Sequence, residues 1–148
     1  MVNRKSAIPE LRWMPLSANG MEPRRAYNGD AGYDLFVSIE CVIPSGSTVT
    51  VHTDVAVELP SGIWGLLVPR SSSLGVRGLH VMTGIIDNGY RGELSMQVYN
   101  LNAFPVPISV GERLAQLIPM PLMRMALVQA DTLASSERGN GGYGSSGR

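Results

Sequence analysis

Residues 48–59, Thr48-Val-Thr-Val-His-Thr-Asp-Val-Ala-Val-Glu-Leu59, decide the fold class. Polar and apolar side chains alternate along this stretch, and valine and threonine dominate it. Successive side chains of an extended chain point to opposite faces, so alternation marks a strand with one face in a core. Residues 63–68, 93–100, 107–110 and 114–120 are further short apolar or alternating runs. Turn-forming residues separate them: Asn28-Gly29-Asp30, Pro44-Ser45-Gly46, Pro60-Ser61-Gly62, Asn88-Gly89 and Val110-Gly111-Glu112. Only residues 71–75, a serine-rich start just after Pro69, carry a helix signal. Short strands between regular turns predict an all-β barrel or sandwich. It is expected to occupy residues 1–130, with residues 131–148 as a flexible glycine-rich tail.

The composition bounds the function. A chain of 148 residues suits one domain, and 44% hydrophobic residues can build a core. Charged residues are only 16%, low for a monomer's surface, which hints at surface buried between subunits. Lys+Arg and Asp+Glu balance at 12 each, so no basic field predicts binding to long nucleic acid. Cys41 is the only cysteine, which rules out an intrachain disulfide and fits a reducing cytoplasmic setting. It reads as a small buried apolar residue. His52 and His80 lack a metal-ligand companion pattern and read as structural. No apolar run approaches the ~20 residues of a membrane span, and no signal-peptide core follows the first five residues.

Four internal segments and the tail carry candidate chemistry. Gly84-Ile-Ile-Asp-Asn-Gly-Tyr-Arg-Gly-Glu93 reads as a hairpin, because Asn-Gly favours a type I′ turn. Asp87, after two isoleucines, is expected to be partly sheltered and able to deprotonate a water; taken alone it reads as a turn-capping aspartate. Val68-Pro-Arg-Ser-Ser-Ser-Leu-Gly75 puts Arg70 and three hydroxyls where a strand meets a helical turn, whose first amides attract phosphate oxygens. Ala31-Gly-Tyr-Asp-Leu-Phe36 is a strand with one inward-looking Asp34, and Gly111-Glu-Arg-Leu-Ala-Gln-Leu-Ile118 offers Gln116 as a donor. In the last eleven residues, 138–148, five are glycine (139, 141, 142, 144 and 147), interspersed with Arg138, Tyr143, Ser145 and Ser146. A mobile strap with a cation, a stacking ring and hydroxyls suits a lid over a nucleotide; composition alone describes a disordered tail.

In this order, the five segments resemble the five motifs of the trimeric deoxyuridine triphosphatases (dUTP pyrophosphatases). Residues 31–37 resemble the first motif, 69–75 the second, 84–100 the third, 111–118 the fourth and 138–147 the fifth. The resemblance implies a distorted jelly-roll and a homotrimer. It implies hydrolysis of dUTP to dUMP and pyrophosphate, limiting uracil in DNA and supplying dUMP for dTMP synthesis. Asp87 resembles the aspartate that activates the water attacking the α-phosphorus, and Arg70 the arginine beside the phosphates. Ser71, Ser72, Ser95 and Gln116 resemble substrate contacts, and the backbone of Gly84, Ile85 and Ile86 would read the uracil edge. Tyr90 resembles the tyrosine packed on the deoxyribose, excluding a 2′-hydroxyl. Arg138 would hold the γ-phosphate, Tyr143 would stack on uracil, and Gly144, Ser145 and Ser146 would complete the phosphate cradle. Each site would draw its first, second and fourth motifs from one subunit, its third from a second, and the strap from a third. Mg²⁺ is the implied cofactor, held by substrate phosphates and water with no direct protein ligand. Relatives often have an acidic residue where Gly89 stands, Phe where Tyr143 stands and, in some, Asn about where Val81 stands.

Two alternatives accompany this expectation. The sister family of deoxycytidine triphosphate deaminases shares the fold, but its basic glutamate precedes a Tyr-Asn pair, and Gln97 precedes Val98-Tyr99-Asn100 here. A glutamine cannot accept a proton at neutral pH. A nucleotide-binding regulatory protein would not need the carboxylate of Asp87.

Overall fold

The computed structural model describes residues 8–142 and is nearly all β, as the alternation predicts. The strands are β1 (Arg12–Pro15), β2 (Tyr33–Phe36), β3 (Cys41–Ile43), β4 (Thr48–Val51), β5 (Val55–Glu58), β6 (Ile63–Pro69), β7 (Leu79–Val81), β8 (Gly84–Ile86), β9 (Met96–Asn100), β10 (Val106–Ile108) and β11 (Arg113–Pro121). The helix α1 (Ser71–Gly75) is the helical turn expected after Pro69. A four-stranded antiparallel sheet runs β2-β11-β6-β8 and a three-stranded one β4-β9-β7. The pairs β1-β5 and β10-β3 complete a distorted jelly-roll sandwich. No helix among the described residues is long and apolar enough to cross a membrane.

The core lies between the sheets. Leu35, Ile43, Leu67, Leu79, Val81, Leu94, Met96, Val98, Leu114 and Leu117 are each at most 2% exposed. Burying side chains of this size stabilises by about 1.5–3 kcal/mol each. Cys41 is half-buried and packs against this core, and burial, helped by the Glu112 charge, pushes its thiol pKa up. After β11, residues 122–142 form no strand or helix, and nearly all of them are exposed.

The run that reads as one strand, 48–59, is two. The chain breaks at His52-Thr53-Asp54, and Asp54 takes φ 53°, the only non-glycine residue with positive φ among those described. The cause is Glu93, about 40 residues further on. Its Oε1 accepts the amides of Thr53 (2.9 Å) and Asp54 (3.0 Å). Its Oε2 faces His52 Nδ1 at 2.9 Å. One carboxylate oxygen can collect two successive amides only if the backbone turns, and aspartate tolerates the left-handed region better than most residues. Burial raises the Glu93 carboxyl pKa. The bonds from the Asp54 amide, His52 and the Thr53 amide outweigh that effect, so the net shift is downward from 4.5.

Asn100 closes the other end. It is fully buried, and its Nδ2 donates to the carbonyls of Ile43 (2.9 Å) and Phe104 (2.8 Å). Its Oδ1 accepts from the amide (2.9 Å) and side chain (2.8 Å) of Asn102. All four hydrogen-bonding positions are filled, so the group stabilises rather than penalises the interior.

Two outcomes follow. Asn100→Ala orphans the buried Ile43 carbonyl and deprives the half-buried Asn102 amide of its acceptor; at ~1–3 kcal/mol per buried group, it should lower the urea unfolding free energy by about 3 kcal/mol. The lowered Glu93 pKa means that the carboxylate's contribution is fully present above pH 4.5 and is lost as pH falls through its folded value. The stability gap between the wild type and Glu93→Gln, followed by urea titration, should therefore shrink on acidification below about pH 4.5.

Candidate functional site

Asp34, Arg70, Ser71 and Gln116 converge on one cleft of about 220 Å³. β6 ends at Pro69, and the chain enters α1 through Arg70 in an extended conformation (φ −75°, ψ 153°). The Arg70 amide donates to the Leu114 carbonyl of β11 at 2.9 Å, which fixes its place at the cleft. Its Nε donates to Asp34 Oδ1 at 2.9 Å, and Arg113 Nη1 donates to Asp34 Oδ2 at 3.1 Å. Asp34 is 8% exposed, and a carboxylate so enclosed needs charged donors to offset its lost hydration. Gly32 lets Gln116 stand in the cleft, since a Cβ there would collide with the glutamine side chain. Asp30 lines the same cleft, and its Oδ2 accepts the Tyr27 amide at 2.9 Å. Ser72 faces an adjoining cleft of about 330 Å³ beside Arg70, Arg77 and Arg113. Ser73 is buried and donates to the Leu114 carbonyl at 2.6 Å, so the third hydroxyl of the run is structural. Clustered guanidiniums, hydroxyls and an amide donor form a surface for phosphate oxygens.

The segment carrying Asp87 lies elsewhere. β8 pairs with β6 on one side only, in the register Gly65↔Ile86, Leu66↔Ile85 and Leu67↔Gly84. It is the edge strand of its sheet, and no strand among the described residues takes its outer side. Main-chain groups of Gly84, Ile85 and Ile86 are thus displayed, and the Ile85 side chain is 63% exposed. The expected type I′ hairpin is not formed. Neither Asn88 nor Gly89 has positive φ, and β8 and β9 belong to different sheets. Instead Asp87 to Tyr90 make a tight turn, with the Tyr90 amide on the Asp87 carbonyl at 3.0 Å. The Asn88 side chain pins it by donating to the carbonyls of Pro60 (2.8 Å) and Ile63 (2.7 Å). Asp87 is exposed rather than sheltered, because β8 has no neighbour on its outer side.

Tyr90 folds back so that its hydroxyl donates to the Glu93 carbonyl at 3.0 Å, over Gly92, where a Cβ would strike the ring. Ser95 is half-buried just before β9. Val81 is fully buried in the core, so its side chain cannot reach a ligand. Gln97, at the position of a deaminase base, is exposed and donates to Thr50 Oγ1 at 2.8 Å.

One chain does not bring the two groups together. Ile86 faces Gly65, and Arg70 lies five residues beyond Gly65 along β6. At ~3.3 Å per residue that is about 17 Å, with Asp87 one residue further out. In the tail, the Arg138 Nε donates to the Gly141 carbonyl at 3.0 Å in an exposed turn. Tyr143, Gly144, Ser145 and Ser146, expected at the base and the phosphates, lie outside the described residues. Arg113, Asp30 and Glu93 were not singled out as site residues from the sequence. Arg113 lies in the segment 111–118 and Glu93 ends the stretch 84–93, but their partners Asp34, Thr53 and Asp54 are distant in the chain.

Comparison with known proteins places the chain in a family. The dUTPase family model matches residues 18–147. The deoxyuridine 5′-triphosphate nucleotidohydrolase of Tropheryma whipplei is 40% identical over 136 residues, covering 90% of this chain and 93% of the relative. That of Mycobacterium marinum is 42% identical over 133 residues, covering 84% and 86%. The Staphylococcus bacteriophage 80alpha dUTPase, solved with dUPNHPP, superposes with a TM-score of 0.89 at 33% identity, covering 94% of this chain and 99% of that one. With a family model spanning most of its length and relatives at this identity, the chain belongs to the dUTPase family.

Proposed function

We propose that the protein hydrolyses dUTP to dUMP and pyrophosphate at sites assembled from neighbouring copies of the chain. The observation that carries this reading is the separation of two complementary half-sites along β6. At one end stands an anion cleft with Arg70, Ser71, Gln116 and the buried Asp34. At the other stand an exposed carboxylate, a tyrosine and an open strand edge. Groups that act on one phosphate chain must lie within hydrogen-bond reach of it. Joining the cleft of one subunit to the Asp87 turn of the next meets that requirement, and it supplies the missing cover over Asp87. A homotrimer, with the strap from a third copy, closes the arrangement by symmetry.

Within such a site the edge of β8 presents amides and carbonyls to uracil, and Tyr90 lies against the sugar. Asp87 accepts a proton from a water whose oxygen bonds to the α-phosphorus. The bond from that phosphorus to the bridging oxygen breaks, and pyrophosphate leaves. Arg70, Ser71, Ser72 and Gln116 hold phosphate oxygens and stabilise the charge that shifts onto the leaving group. Ser95 lies close to the base-reading turn. Arg138 holds the γ-phosphate, Tyr143 stacks on uracil, and Gly144, Ser145 and Ser146 complete the phosphate cradle. Asp30 and Asp34 both line the cleft, and their carboxylates suit hydrogen bonds from the waters of a hydrated dication such as Mg²⁺. Mg²⁺, bound through the triphosphate, would neutralise charge on its oxygens. A reducing cytoplasm is the proposed compartment.

Asp87→Asn should retain nucleotide binding in calorimetry while kcat falls by ~10²–10⁴; a near-normal rate of pyrophosphate release would remove Asp87 from the mechanism. Arg70→Ala and Asp87→Asn chains, each inactive alone, should regain activity when unfolded and refolded together, because some sites combine an intact Arg70 with an intact Asp87. Mixed trimers seen by native mass spectrometry without recovered activity would refute the shared site.

A further inference from the structure

We propose that Glu93 is a positioning residue for sugar selection, its side-chain oxygen fixing the main chain on which Tyr90 rests. The inference rests on the reading of Tyr90 as the residue that lies against the deoxyribose. Tyr90 is 44% exposed and projects from the Asp87–Tyr90 turn. Its ring lies over the bare backbone of Gly92, and its hydroxyl donates to the Glu93 carbonyl. Both Gly92 and Glu93 belong to the stretch leading into β9, so a shift of that stretch moves the ring's support.

The stretch is held against the break between β4 and β5. Glu93 bridges Ala56, the Leu94 amide donates to the Val55 carbonyl at 2.9 Å, and Thr53 Oγ1 donates to the Leu94 carbonyl at 2.9 Å. The side chain of Glu93 adds the contact that sets the angle. Its Oε1 alone receives the amides of both Thr53 and Asp54, which converge on it through the left-handed turn at Asp54. His52 approaches chiefly the other oxygen. The positioning contact is therefore an acceptor oxygen rather than an ion pair, and a neutral side chain of the same length retains it. Glu93 touches no substrate; it acts through Tyr90.

The test is the ratio of kcat/KM for dUTP to that for UTP, with the melting temperature recorded alongside. Glu93→Ala should reduce the ratio by about tenfold to a hundredfold, the scale on which small misplacements cost specificity. Glu93→Gln, which keeps Oε1, should restore it to near the wild-type value. In a Tyr90→Phe background, which removes the hydroxyl tether, Glu93→Ala should change the ratio much less than in the wild type. Should the alanine variant fail to fold, Glu93→Asp decides, since it keeps the charge but withdraws the oxygen by one methylene; an intermediate fall in the ratio supports the proposal. A folded Ala or Asp variant that melts lower yet keeps the wild-type ratio makes Glu93 merely structural and overturns it. A wild type that does not hydrolyse dUTP overturns the parent reading, whereas an active, selective wild type with an indifferent Glu93 overturns this proposal alone.

Discussion

The pairing of β6 with β11 on one side and β8 on the other is the constraint on which the rest of the molecule depends. Seven residues of β6 are matched in register with β11, from Ile63 opposite Pro121 to Pro69 opposite Ala115. That ladder carries Leu67 and Leu117 into the core and delivers Arg70 to the cleft beside Gln116. On its far side, the same strand holds β8 and so places Asp87 at the opposite end. A bulge or slip in β6 would move both groups at once, and a one-residue slip would turn the core face to solvent. The length of a single strand thus sets the distance between the Arg70 cleft and the Asp87 turn.

Strand alternation is a local signal, and most of the fold was legible from it. What escaped it has non-local causes. The break at His52-Thr53-Asp54 is invisible in an unbroken run of alternating residues because Glu93 causes it. The Asn88-Gly89 pair carries a strong local preference for a type I′ turn. That preference lost to three carbonyls, those of Leu59, Pro60 and Ile63, which draw the Asn88 amide across the sheet. Tertiary hydrogen bonds to the loop between β5 and β6 outweigh the local turn preference.

The candidate residues were legible in the sequence, but not the contacts that hold them. Arg70, Ser71 and Gln116 fall on one cleft, as their motifs imply, and Asp34 looks inward as its strand pattern predicts. Nothing in the spacing of these residues shows that Asp34 binds two arginines, at positions 70 and 113. That double contact preorganises Arg70, because a guanidinium already held by a carboxylate loses little further freedom when an anion arrives. The exposure of Asp87 was also missed, since two preceding isoleucines signal shelter only if both faces of their strand are covered. Here Ile86 packs against the core and Ile85 faces outward.

The open edge of β8 has a consequence for how the protein survives at high concentration. A strand that reads a base with its own backbone, as proposed for β8, must leave those groups unpaired, and unpaired strand edges recruit other strands into aggregates. Gly84-Ile-Ile86 is uncharged and proline-free, the kind of sequence that joins such growth readily. It is also only three residues long, and it ends in the carboxylate of Asp87 and the tethered turn at Asn88. So short an edge offers an incoming chain too few hydrogen bonds to hold it, while still suiting a flat heterocycle. The brevity of β8 thus limits edge-to-edge growth while leaving the proposed recognition through the main chain open.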